Sequence, residues 1–483
     1  MTLCPLGMTV GRQAEHFTLL MLCSGVLCAL PAHAAHRYEV AVAETLERIS
    51  VRACFEGRAP LQLVAESDGA RYFLESARVG DRKLGAPTGT LSLDGVADNS
   101  CIDYRVRLQP VSSSAQTGGP ETRWIGSDLL TSIGDWLWRP AENQEGSDLV
   151  LQFHLPPGIS VSAPWPRSAG MDGRHEYRIG ATPFKWPGVV AFGQFGEQEI
   201  EIGEARLRVA VLDGPTPAQE HWLREGVERA ARQATRVHGR FPVDLLQVIV
   251  AQTPRGRGPV PWAYVSRGGG SAVHLFVAPQ RGKQAFFDDW SVVHEMAHLF
   301  FPYVAGRDAW LFEGLPTYLQ NVLMARDGAI SSEEAWRRMA AGFRRGARIS
   351  PGLSLSRVAE RMSHGGNYLR VYWAGAAAML AADLQLRSLS TGSQSLDTAL
   401  ASLSQCCLQD NRRWSARELI EKLDQLTATT VFSDLWHQQI ETGEFPDFET
   451  VLARAGVDVE NGQVRFLPTA PWAAEREVLM QSR

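Results

Sequence analysis

The chain has no internal repeat and no low-complexity tract beyond brief glycine-rich loops such as Arg267–Gly270, which argues against solenoids, propellers and fibres. It has no excess of one charge: 48 Lys and Arg stand against 53 Asp and Glu, a formal charge of -5. Neither nucleic acid nor an anionic membrane is attracted by such a balance, and no nucleic-acid partner is expected. Past residue 34 there is no long apolar run, so no transmembrane helix is expected in the mature chain. Cysteine is scarce, seven in 483 residues.

The first 34 residues stand apart. Arg12 precedes an apolar stretch from Phe17 to Leu30 that ends in the small-residue triplet Ala32-His33-Ala34, the pattern of a signal peptide cleaved after Ala34. A buried helix or a membrane anchor is the alternative, against which the stretch is shorter than the ~20 residues a spanning helix needs. Export to the periplasm or the medium is the expectation. Cleavage leaves Cys54, Cys101, Cys406 and Cys407. In an oxidising compartment Cys54 and Cys101 either staple two strands or stand as buried thiols. The adjacent Cys406 and Cys407 lack the spacing of a zinc knuckle or a redox pair and are given no chemical role.

A chain of this length is expected to hold two or three domains. From Tyr38 to about Leu155, short alternating runs broken by Gly, Asp, Asn and Pro predict antiparallel strands, a sandwich. Around residue 205 the rhythm changes. "ARLRVAVLDG", "LLQVIVAQ" and "AVHLFVAP" read as strands and Ala218–Val237 as an amphipathic helix, and helical patterns dominate from Lys283 onward.

"SVVHEMAHLFF" places His294, Glu295 and His298 in a stretch free of Pro and Gly. On a helix, residues four apart share a face, so two imidazoles reach one tetrahedral Zn²⁺ while Glu295 flanks it as the general base for a metal-activated water. A third ligand is required. Glu313, in "DAWLFEGLPTYLQN", offers it: an acid flanked by Trp, Leu and Phe needs a partner, and a cation is one.

His-Glu-x-x-His followed by Trp-x-x-Glu-Gly-x-x-x-Tyr resembles the gluzincin metallopeptidases, in particular the glycyl aminopeptidase family whose members often carry a PDZ domain. "VYWAGAAAMLAADLQLR" and "LWHQQIETGEFPDFETVLARAGV" are similar to that family's helical segments, and the resemblance runs from about Ala205 to Val457. It implies one zinc per chain on His294, His298 and Glu313, Glu295 as base, and Tyr372 as the phenol that stabilises the tetrahedral intermediate, with Tyr368 and His364 as alternatives. Three departures stand out. No PDZ domain is expected to follow. Pro316 replaces a common Thr. The family's Gly-Gly-x-Glu substrate strand is replaced by Gly268-Gly269-Gly270-Ser271, the substrate-binding candidate.

The expected architecture is therefore multidomain α+β: a signal peptide at 1–34, an N-terminal antiparallel β-sandwich domain at 35–204, a thermolysin-like α/β zinc domain at 205–330 and a C-terminal helical domain at 331–483. The expected activity is zinc-dependent hydrolysis of peptide or protein substrates. An exported binding protein that keeps zinc only for structure is the alternative. No Asp or Glu occurs from Leu245 to Phe287, whereas Arg255, Arg257, Arg267, Arg281 and Lys283 do. That composition predicts cleavage of internal bonds, or of acidic peptides, over removal of single N-terminal residues.

Overall fold

The computed structural model describes residues 36–86, 89–108, 122–141, 149–168, 175–180, 188–254, 256–267, 270–304, 306–408, 412–440 and 442–481. The expected signal peptide, Arg255, Gly268 and Gly269 lie outside them. The protein is a mixed α+β chain with several sheets and a dozen helices. No helix among the described residues is long and apolar enough to cross a membrane.

The first part carries three sheets, of seven, three and four strands, around one core that contains Trp136, Trp138, Phe153 and Phe192. Strand alternation is plain at the sequence level: His36–Val42 buries every second residue. The seven-stranded sheet departs from the all-antiparallel expectation, because His36–Val42 pairs Leu149–His154 in parallel. The chain leaves the first of these strands, builds much of the other sheets and returns in the same direction, an arrangement that local alternation cannot reveal. Cys54 and Cys101 face each other on neighbouring antiparallel strands and form a disulfide. Cys406 and Cys407, given no role above, are bridged to one another.

The second part opens on a five-stranded sheet. Its strands are β1 (Glu197–Ile202), β2 (Ala205–Val211), β3 (Leu245–Gln252), β4 (Trp262–Ser266) and β5 (Ala272–Val277), in the order β1-β2-β3-β5-β4. Helix α1 (Pro217–Ala234) crosses from β2 to the parallel β3, with Thr216 and Gln219 closing a reciprocal cap ahead of Pro217. β3 and β5 are buried along most or all of their length, as central strands covered on both faces must be. One face packs on the preceding sheets through Leu130, Ala191, Ile249 and Phe276. The other packs on helices.

Those helices are α2 (Ser291–Ala297), α3 (Ala309–Arg326), α4 (Ser332–Ala347) and α5 (Asn367–Leu389), followed by smaller ones. A single core runs from Ile200 to Met480, so strands, α2 and the later helices form one packed body. α3 and α5 lie side by side in the same direction, and they touch backbone to backbone at glycine. A side chain at Gly375 would collide with the Trp310 carbonyl, and one at Gly314 with Gly375 itself.

Candidate metal centre

All seven residues of α2 are buried, and the helix tightens into a 3-10 turn, His298–Phe300, at its end. His294 and His298 thus lie one turn apart on the same face, their ring centroids 5.0 Å apart. α3 brings Glu313 to them from the side. The Glu313 Oε2 atom stands 3.4 Å from His294 Nε2 and 3.5 Å from His298 Nε2. Glu295 points into the same cluster, 4.0 Å from His298 Nε2. α5 brings Tyr372, whose ring stacks parallel on His294 at 5.9 Å and whose phenol hydrogen-bonds the Glu313 carboxylate.

These donors fit zinc. Ligand atoms about 2.1 Å from a tetrahedral ion are about 3.4 Å from each other. The observed separations meet that spacing. His294 Nδ1 is 2.8 Å from Gln320 Oε1, and an amide oxygen can only accept. A proton on Nδ1 satisfies Gln320, which leaves Nε2 as the ring atom that would take a metal. Among the described residues no Lys or Arg pairs with Glu295 or Glu313. A buried carboxylate, Glu295, and a largely buried one, Glu313, with only imidazoles for partners make a setting in which a divalent ion would be stabilising.

The electrostatics follow from burial. Burial pushes the Glu295 carboxyl up to about 7, with Glu313 adding to the rise against His294. Against burial, which would raise it, the imidazoles of His298 and His294 hold the Glu313 carboxyl well below the usual carboxylate range. Burial takes His298 down to about 4, so that it presents a neutral imidazole. The Tyr372 phenol is driven well above its ordinary value by burial and by the two carboxylates, and it is a donor at any working pH.

The five residues singled out for chemistry, His294, Glu295, His298, Glu313 and Tyr372, converge. Tyr368, the alternative one turn earlier on α5, is exposed and reaches the cluster only edge-on through Tyr372. His364 is exposed and its Nδ1 lies beside Ser363. Gly270 and Ser271 are not in the cluster. They form the turn between β4 and β5, where a side chain at Gly270 would collide with the Pro164 carbonyl and where the Ser271 carbonyl accepts from Gln247 N. The open edge beside α2 is β4, Trp262–Ser266.

Two of the basic residues near this strand are already engaged. Arg267 donates to the carbonyls of His298 and Phe301, tying the end of β4 to the end of the metal helix. Lys283 pairs with Glu225 at 2.7 Å. Sequence reasoning missed Gln320 and Trp290, although both lie at helical spacing from a ligand: Gln320 two turns after Glu313, Trp290 one turn before His294. The Trp290 ring meets His294 edge-on at 5.3 Å.

The fold is similar to that of solved zinc metallopeptidases. Three solved structures make the likeness concrete. An aminopeptidase N family protein from Idiomarina loihiensis superposes with a TM-score of 0.64 at 13% identity, over 88% of this chain and 79% of that one. The M1 zinc metallopeptidase of Deinococcus radiodurans gives 0.54 at 14%, over 86% and 95%. A two-domain M1 zinc metallopeptidase variant bound to L-arginine gives the same values. No protein-family model matches the sequence, and no curated protein does. At these identities the likeness is one of fold.

Proposed function

We propose that the chain is an exported zinc metallopeptidase that hydrolyses peptide bonds, with one zinc held by His294, His298 and Glu313. The observation that carries this reading is the meeting of two imidazole nitrogens and one carboxylate oxygen at metal-ligand spacing with a further buried carboxylate, Glu295, beside them. Zinc, when bound, supplies Lewis acidity toward the scissile carbonyl and the attacking water.

The protein's own groups do the rest. β4 has an unpaired outer edge among the described strands, and an extended peptide can add to it by main-chain hydrogen bonds. Glu295, buried and with its carboxyl raised by that burial, takes the proton of the water as its oxygen attacks the carbonyl carbon. It then delivers the proton to the leaving nitrogen as the C–N bond breaks. Tyr372 donates its phenolic proton to the oxyanion of the tetrahedral intermediate, a contact worth about 3 kcal/mol in comparable sites.

The lack of any Asp or Glu on β4 and its flanks supports cleavage of internal bonds, because a free α-ammonium brought to this strand meets no carboxylate from it. Glu295→Gln tests the central claim. The amide cannot accept a proton, so turnover of a peptide mixture read by mass spectrometry falls by about 10³-fold, within the range of general-base effects. Zinc measured by elemental analysis stays at one per chain. A variant that keeps its activity overturns the assignment, and zinc retained by a wild type that cleaves no peptide favours a binding protein with structural metal.

A further inference from the structure

One cavity opens beside the metal helix, with a volume of about 390 Å³. Trp290 at the start of α2 forms one wall and Trp373 on α5 another. Pro259, just before β4, closes one end. Trp290, His294 and His298 are spaced four residues apart, so the cavity continues the face of α2 that carries both imidazoles, one turn further on. β4 runs alongside in the opposite sense. Its start, near Pro259, lies by Trp290, and its end, at Arg267, is bonded to the carbonyl of His298. A peptide laid on the edge of β4 across the metal cluster therefore leads its side chains toward Trp290.

Most of the charged groups around this cavity have a partner within the protein. Arg337 and Arg338 both bind Glu334, at 2.6 and 2.7 Å. Asp289 accepts from Ser291 N at 2.8 Å, and Asp288 from Gln284 Nε2 at 2.8 Å. Arg345 lies over the Trp373 ring, 5.7 Å from its centroid. The ring surface open to a visitor is that of Trp290, 41% exposed and edge-on to the buried His294, whereas Trp373 is 9% exposed with its ring against Gly342.

We infer that this cavity is the side-chain subsite of the proposed peptidase, and that it takes an aromatic residue, Phe, Tyr or Trp, within two positions of the cleaved bond. The Trp290 ring meets the incoming ring in offset or edge-on contact, and the polar lining accommodates a hydroxyl or an indole N–H. The inference rests on the peptidase reading for its position in the substrate, but its geometry is independent of turnover.

The test uses the full zinc-loaded chain and peptides that differ at one position among Phe, Ala and Glu. The aromatic peptide is expected to be cleaved with a kcat/KM about tenfold above its Ala counterpart, the discrimination a hydrophobic pocket typically supplies. Trp290→Ala brings the Phe-to-Ala ratio near one with zinc content unchanged, whereas Trp290→Phe keeps most of it. Ala341→Phe, which fills the cavity from α4, lowers the ratio through KM of the aromatic peptide. Calorimetric binding of the same peptides to the Glu295→Gln protein separates the two claims. Selective aromatic binding without cleavage by the wild type removes the peptidase reading and leaves the subsite. Cleavage without aromatic preference, a preference for Glu, or a ratio untouched by both Trp290→Ala and Ala341→Phe overturns the subsite.

Discussion

Helices α3 and α5 carry two buried charged clusters, one toward each end, and the two are built on opposite rules. At the far end, Asp383 and Asp397 face Arg326 and Arg387 at 2.8 to 3.1 Å, with Tyr318 and the Leu396 N–H completing the bonding of Asp383. Two carboxylates meet two guanidiniums, and the charges balance. At the near end, Glu295 and Glu313 face two imidazoles, one of them held neutral by burial, and no guanidinium pairs with either carboxylate among the described residues. The first cluster balances its charges within the protein. The second holds two carboxylates with imidazoles alone, a donor set that a divalent ion would suit, and this distinguishes it from the structural network on the same pair of helices.

The comparison breaks most visibly at Asp397. Replacing it by Ala leaves Arg326 and Arg387 without their shared carboxylate, and breaking such a buried pair costs about 3–5 kcal/mol. Urea unfolding should show that loss while zinc stoichiometry stays at one. Zinc released by Asp397→Ala under native conditions would mean that the two clusters are one unit.

Tyr372→Phe is expected to act on the other side of the comparison, lowering kcat by about a hundredfold as loss of one oxyanion donor does. Metal content and the urea midpoint should hardly move. Tyr368→Phe, one turn away and exposed, is expected to be nearly silent in kcat, and the reverse outcome assigns the oxyanion role to Tyr368.

Gln320→Ala removes the acceptor that fixes the His294 ring, and outer partners of metal-bound histidines are worth about 10–100-fold in metal affinity. Competition with a chelator measures it. Gln320→Glu should restore affinity, because a carboxylate accepts the same proton. The smallest expected effect is that of N-acetylating a cleavable peptide. An enzyme cutting internal bonds tolerates the cap, and a block shows that the free amine is read after all, with Asp288 at the cavity rim the first carboxylate to examine.

How much of this was legible depends on the range of the interaction. The bounds of β3 were readable to the residue and those of β5 nearly so, because periodicity is local. His294, Glu295 and His298 were readable because a helix converts spacing into a shared face. Glu313 needed its apolar neighbours, and Tyr372 needed the family resemblance, since nothing local says that residue 372 reaches residue 294. Gln320 and Trp290 carried a helical signal that was not followed. The parallel pairing of His36–Val42 with Leu149–His154 joins segments over a hundred residues apart and leaves no trace in either. Gly270 and Ser271, the substrate-binding candidates among the described residues, lie after the end of β4 and outside the candidate metal cluster, which composition alone does not reveal.

The glycine contact between α3 and α5 fixes a dimension rather than a bond. Glu313 lies immediately before Gly314, and Tyr372 three residues before Gly375, so the distance from the Glu313 carboxylate to the Tyr372 phenol is set by how closely two backbones approach where neither has a side chain. A methyl group at either position would act as a shim. It would part the helices and open the reaction centre without altering any residue of the metal cluster, so a survey of catalytic side chains alone would miss the cause.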